Sequence, residues 1–492
     1  MLQVKSISPF STFKLTAAFW ILFLFPAIIG CKKFVQVDAP PTGITSSTIY
    51  SNNVSAASVM SGMYSNIMAS SASLYGGNSS IGFLQGLAAD ELISYSNIQI
   101  FSQFYQNALM SSSNGSSNSY YWTEIYREIY VTNTVIENLS KSSGVSFSMK
   151  QQLDGEAKFM RAFLNFYATN LYGEVPIVTS TDYLTNNVIK RSSKTQVYGQ
   201  IIADLKKAKL ELSEKYVNNN GLSTTERIRP NKVAAQALLA RVYLFNGDWK
   251  NAEMEADSVI NNSNYELVPD LNGVFLKNSK ETIWQLQSIS PGYNTFDGYN
   301  YVLTSPPGSG QFLVALDTNL VNSFEANDER RINWIGTYTE DSIIYYYYPY
   351  KYKQGVYDPN ITVGDVSEYT MVLRLAEQLL IRAEARAQQG NIVGAQNDLN
   401  TIRTRSGLSA TSATSQASLL SAILHERRVE LFTEWGNRWF DLIRTGSINY
   451  VLGSPGNVCQ KKGGNWNANW ALLPIPMSEL QINRNLYQNN GY

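Results

Sequence analysis

Two well-separated stretches of this chain carry one spacing pattern. Ala240 is followed after seven residues by Gly247 and after five more by Ala252; Ala383, Gly390 and Ala395 repeat both intervals. Each copy has an apolar run of helical period before the glycine and another after it. A glycine between two such runs suits a sharp reversal, because it alone enters the left-handed region without steric cost. The flanking alanines suit close helix–helix approach. Each copy therefore predicts helix, tight turn, helix. Such a pair has an apolar face that it cannot bury alone, so it must stack on neighbours. Further helical periodicity surrounds the copies. Val54 to Met68 and Trp122 to Leu139 each carry an apolar stripe. Leu153, Ala157, Met160, Phe163, Leu164 and Tyr167 mark a helix over 149–171, which Pro176 follows. Val197, Ile201, Leu205 and Ala208 mark another over 195–212, and Pro230 opens the first repeat copy.

The paired helices resemble the tetratricopeptide repeat. They are expected over about 149–262 and 368–435. Two segments do not fit the helical pattern. Residues 70–121 are rich in Ser, Asn and aromatics, with a low-complexity run over Ser111–Ser119. Residues 281–367 contain Pro-Gly turns, one alternating strand-like stretch at Ile283–Gln287, and the run Tyr345–Tyr348. The expected fold is thus mainly α: tetratricopeptide-like helix pairs packed on a loop-rich aromatic half with minor β structure. Ligand contacts are expected on the loops, where binding residues concentrate.

Composition narrows the functions. Lys+Arg and Asp+Glu are both 39, so no basic footprint for nucleic acid is visible. A single histidine, His425, argues against a His-centred triad or multi-His metal site, and two cysteines provide no disulfide framework or Cys-based zinc site. No cofactor motif occurs: there is no Gly-rich phosphate loop, G-x-S-x-G elbow or H-E-x-x-H. Charged residues are 16% of the chain, whereas there are 31 tyrosines. That balance favours neutral ring-shaped ligands, which stack on aromatic faces.

The N-terminus reads as a targeting signal. Lys5 and Lys14 precede the apolar run Leu15–Ile29, which is too short to span a bilayer. The run ends at Ile28-Ile29-Gly30-Cys31, which resembles a bacterial lipobox. The expectation is a signal peptide over 1–30, a tether over 31–46 lipidated at Cys31, and a single domain over 47–492. Acylation would anchor a body that does not itself cross the membrane.

Three landmarks resemble the SusD/RagB family of outer-membrane lipoproteins. The first is Cys31 followed by Phe34-Val35-Gln36-Val37-Asp38. The second is Ile423–Phe432 with Asn437-Arg438-Trp439-Phe440-Asp441-Leu442-Ile443-Arg444-Thr445-Gly446. The third is Leu472-Leu473-Pro474-Ile475-Pro476 with Asn483, Asn485, Gln488, Asn489, Gly491 and Tyr492. Ala89-Asp90-Glu91 resembles an early Asp-containing family segment. The resemblance implies a non-catalytic, surface-exposed lipoprotein that captures oligosaccharides and passes them to a SusC-like TonB-dependent transporter. Some members take peptides instead.

Two sets of residues are candidates for chemistry. Glu426, Arg427, Arg428, Arg438, Asp441 and Arg444 form a charge cluster; flanked by Leu424, Leu431 and Phe432, it reads as an ion-pair network that locks packing. Asp90-Glu91 are adjacent, so they point in different directions and suit a structural role better than a glycosidase pair, which needs two carboxylates about 5 to 9.5 Å apart in a cleft. Ligand binding is placed on Tyr95, Asn97, Phe101 and Phe104 in one loop and on Tyr293, Phe296, Tyr299 and Tyr301 in the other. Rings supply stacking faces, amides meet hydroxyls, and any one ring is equally able to fill the core. The only charged residue in Ser290–Ser309 is Asp297, which points to a neutral glycan.

Overall fold

The computed structural model describes residues 46–69, 72–110 and 117–492. The expected signal peptide, Cys31 and nearly all of the tether lie outside the described residues, as does most of the Ser-rich run. Residues Tyr50–Tyr492 form one unit; the described part of the other is the short helix Ser46–Ile49.

The helices appear where apolar residues recur at helical spacing and where a polar side chain caps the first turn. Helix α1, Asn53–Met68, starts at Asn52, whose side chain accepts from Ser55 N at 2.9 Å. Helix α2, Ile81–Ala88, starts at Ser80 in the same way. Strand β1 is Leu92–Ser94, and α3 is Gln99–Tyr105. Long helices follow: α4 Ser117–Lys141, α5 Phe147–Tyr172, α6 Lys194–Glu211, α7 Lys232–Phe245 and α8 Trp249–Ile260. After the aromatic insert come α11 Leu375–Gln388, α12 Ile392–Arg405, α13 Gln416–Glu430 and α14 Asn437–Arg444.

These helices stack in a row. Each of α4 to α7 packs on the next, α8 packs on α7 and on α11, and α11 packs on α12 and α13. The matched glycines sit at the turns. Gly247 has φ +74° and Gly390 φ +79°, and each is followed by an N-cap, Asp248 or Asn391. Ala383, Ala395, Leu380, Leu399 and Ile423 form one buried apolar cluster where α11, α12 and α13 meet. A fully buried Leu or Ile contributes about 1.5–3 kcal/mol. Charge also ties the row together. Arg382 on α11 bridges Asp398 of α12 at 2.6 Å and Asp257 of α8 at 2.6 Å. Arg241 of α7 grips Glu377 of α11 through Nε at 2.7 Å.

The insert contains strands β2 Thr282–Leu286, β3 Val314–Leu316, β4 Ile335–Glu340, β5 Ile344–Pro349 and β6 Thr370–Arg374, with short helices α9 Phe296–Tyr301 and α10 Glu329–Asn333. Every ladder has two strands. β1 pairs with β3, β2 with β6, and β4 with β5, all antiparallel. The β2–β6 ladder clamps the two ends of the insert together, so residues 287–369 emerge from one place on the helical row.

Two sequence expectations change. The segment 70–121, expected to be loop-rich, holds α2, β1, α3 and the start of α4; Phe101 and Phe104 of α3 turn onto the core. The second helical region starts at Leu375, not 368, because Thr370–Arg374 is buried as a strand against β2. Its five residues offered too short a pattern to separate strand from helix.

Candidate ligand-binding site

The loop after β2 is built around Asn294 and α9. The buried Asn294 Oδ1 accepts from Ser367 N at 2.7 Å, fixing the loop to the chain entering β6. Thr295 caps α9, accepting from Gly298 N at 2.9 Å. One helical turn then divides the aromatics. Phe296 and Tyr301 face inward and are buried, while Tyr299 stays half-exposed. Tyr293 stands beside it, with ring centroids 4.9 Å apart and planes at 89°.

A third ring, Tyr357, joins this cluster 5.0 Å from Tyr293 and is 47% exposed. Its approach depends on Gly292, where φ is +86° and a Cβ would lie 2.2 Å from Tyr357 Cε2. Gly292 N also donates to Ile361 O at 3.0 Å, and Asp358 N donates to Gly292 O at 3.1 Å. Tyr357 is absent from the sequence-based candidates. Its local pattern is unremarked loop; only the glycine preceding Tyr293 hinted that another chain passes close.

The other candidate loop presents Tyr95, 38% exposed, and Asn97, also exposed. Tyr95 N donates to Leu313 O at 2.9 Å, extending the β1–β3 ladder. Its ring meets Tyr346 of β5 edge-on at 5.6 Å. In the tyrosine run, Tyr345 is exposed, whereas Tyr346, Tyr347 and Tyr348 are half-buried.

Four sequence-based candidates are corrected. Phe101, Phe104, Phe296 and Tyr301 are at most 4% exposed, so none presents a face to a ligand. Phe101 and Tyr301 instead pack on the same buried ring, Phe83, at 5.6 and 5.8 Å. The two loops therefore share an interior base, and their accessible rings form two clusters: Tyr293 with Tyr299 and Tyr357, and Tyr95 with Tyr346. Beneath α9, Asp297 accepts from Gly77 N at 3.4 Å, and desolvation pushes its carboxyl up to about 7.

The charge cluster is interior. Arg427 Nε meets Asp441 at 2.7 Å, and Arg444 Nε meets the same carboxylate at 2.8 Å. Arg330 bridges Asp328, Glu426 and Glu430, and Arg374 reaches Glu281, Glu430 and Glu434. Asp90 is bound by Arg428 and Arg438; burial opposes its ionisation, but the two guanidinium groups hold it at about 2. Desolvation drives neighbouring Glu91 the other way, to about 7. Both carboxylates are buried, so the pair does not line an open cleft. Among the described residues, no group of three His, Cys, Asp or Glu side chains is placed to hold a metal, and no helix is long and apolar enough to cross a membrane.

A row of stacked helices presenting an aromatic, loop-rich insert is the architecture of SusD-like proteins, and comparisons with known proteins agree. Residues 336–492 match the model of the SusD family, and residues 58–244 match a family described as starch-binding associating with outer membrane. SusD-like protein P2 of Formosa agariphila is 28% identical over 432 residues, covering 78% of this chain and 83% of that protein. A solved SusD superfamily protein from Bacteroides vulgatus has a TM-score of 0.78 at 19% identity, covering 90% of this chain and 100% of its own. A structure described as a laminarin binding SusD-like protein has a TM-score of 0.72 at 23% identity, covering 90% and 100%. The chain belongs to the SusD/RagB family.

Proposed function

We propose that this protein is a lipid-anchored, surface-exposed outer-membrane protein that captures neutral oligosaccharides without cleaving them and hands them to a SusC-like TonB-dependent transporter. The observation that carries the reading is the half-exposed platform of Tyr293, Tyr299 and Tyr357, held on a rigid loop. Perpendicular rings offer faces in two directions, which suits a curved chain of sugar rings. Tyr95 and Asn97 supply a further ring and an exposed amide. The family membership supports carbohydrate binding, and the name of one structural relative refers to laminarin. The helix pairs, read as tetratricopeptide-like, serve as scaffold and as the face for the transporter. Anchoring is assigned to Cys31, outside the described residues.

Affinity electrophoresis and product analysis against a panel of neutral glycans test this reading. Retardation by at least one glycan with no shorter products is expected. No retardation by any, or turnover of the retained glycan, rejects it. Co-purification of the membrane-anchored protein with a TonB-dependent transporter tests the partner.

A further inference from the structure

The last ten residues fold back against the end of α5 and leave an open cleft of about 610 Å³ between that end, the start of α6 and residues 468–472. This volume is in the range of small-molecule sites, about 300–1,000 Å³. It is built from residues other than those of the aromatic loops.

Its floor is Tyr487, which is 54% exposed yet fixed. The Arg191 guanidinium covers one face, 4.5 Å from the ring centroid. The hydroxyl donates to Glu174 Oε2, and the carbonyl accepts from Arg191 Nη1 at 2.8 Å. Among the described residues, no other cation and no second aromatic ring lies over the Tyr487 ring. A ring already held on one face and at its hydroxyl loses little freedom when something stacks on it.

The walls offer unused polar groups. Among the described residues, the side-chain amides of Asn469 and Asn490 have no hydrogen-bond partner, and both residues are exposed. Lys194 lines the same cleft; its ammonium lies 5.7 Å from the Tyr198 ring, with no carboxylate bound to it. Arg191 donates to the carbonyls of Glu174, Tyr172 and Tyr487 and to Asn489 Oδ1, not to a carboxylate. Glu174 is the one acid among the lining residues, against two cations. The cleft thus combines a stacking face, free amides and an unneutralised positive charge.

We infer that this cleft is a second glycan subsite, selective for an acidic sugar: a uronate unit stacks its C–H face on Tyr487, directs its carboxylate to Lys194 and hydrogen-bonds through its hydroxyls to Asn469 and Asn490. Stacking and a charge-assisted contact act together, so loss of either weakens binding.

Titration calorimetry with trimers of galacturonate, mannuronate and glucuronate, and with neutral laminaritriose as the control, tests this. At least one uronate trimer binds the wild-type protein. Tyr487→Ala and Lys194→Met each weaken that binding roughly fivefold or more. Lys194 is exposed, so its variant folds and keeps the test decisive even if Tyr487→Ala does not. Failure of all three uronate trimers to bind, or binding that survives both substitutions, overturns the inference. Laminaritriose binding with no uronate binding removes this subsite and leaves the Tyr293 platform standing; uronate binding without laminaritriose binding supports this subsite and leaves the platform to the panel of neutral glycans.

Discussion

Asp90 accepts Arg438 Nε at 2.7 Å and Arg438 Nη2 at 2.8 Å, a two-point grip between residues 348 positions apart in the chain. Arg428 Nη2 adds a third bond at 2.9 Å. This carboxylate joins the segment after α2 to both α13 and α14. Removing it strands two largely buried guanidinium groups, the situation in which a broken buried pair costs about 3–5 kcal/mol. Asp90→Ala is therefore expected to lower the midpoint of thermal unfolding sharply, with Asp90→Asn intermediate. An unchanged midpoint in scanning calorimetry would show that water replaces the pair without loss.

The platform is expected to read out ring by ring. Tyr299→Ala and Tyr357→Ala each remove a partly exposed stacking face, for which about 0.5–1.5 kcal/mol, or roughly two- to twelvefold in affinity, is expected. Phe101→Ala opens a cavity beside Phe83 instead. It should lower stability by about 3–5 kcal/mol while sparing affinity in the molecules that remain folded. Calorimetric titration paired with thermal melts separates the two classes; equal affinity in wild type and both tyrosine variants would place the site elsewhere.

Glu91 gives the stability a pH signature. Desolvation, reinforced by Asp90, raises its folded-state carboxyl to about 7. Between the unfolded value near 4.3 and about 7 the folded state holds the extra proton, so stability falls as pH rises through that window. Glu91→Gln keeps an acceptor for Thr433 N, which lies 3.3 Å from Glu91 Oε1. The variant should be more stable than wild type at pH 7.5, by on the order of 1 kcal/mol, and equal to it at pH 4. Urea unfolding at both pH values checks the sign; a variant less stable at pH 7.5 would contradict it.

Lys462 caps a helix from a distance. Its buried ammonium donates to Leu87 O at 2.6 Å and also reaches Ala88 O and Ala89 O, all at the C-terminal end of α2. A cation there satisfies orphan carbonyls and opposes the helix dipole. Desolvation pulls the ammonium down to about 8. Lys462→Met keeps the aliphatic stem and strands the carbonyls, so a loss of about 1–3 kcal/mol is expected. Faster amide exchange confined to the last turn of α2 would report the lost cap directly.

Anchoring is tested at Cys31. Cys31→Ala should shift the protein from the membrane to the soluble fraction, and protease treatment of intact cells should degrade the wild-type form. Continued membrane retention of the variant would exclude lipidation as the anchor.

What the sequence alone determined was local or periodic. The seven-and-five spacing around Gly247 and Gly390 required a reversal that glycine makes at positive φ, and the apolar stripes required helices that bury one face. The cluster at Glu426–Arg444 was legible as structural because guanidinium groups flanked by Leu and Phe need carboxylates; Arg427 with Asp441 satisfied that within one motif. Tertiary structure decided everything that depends on which distant chain arrives. Phe101, Phe104, Phe296 and Tyr301 are composed like Tyr95 and Tyr299, but irregular chain has no period from which inside and outside can be read. The arrival of Phe83 buried Phe101 and Tyr301. Tyr357 entered the platform only because Gly292 let it pass, and Thr370–Arg374 became a strand only because Thr282–Leu286 lay beside it. Asp90 found Arg438 for the same reason: an ion pair depends on distance in space, which separation along the chain does not record.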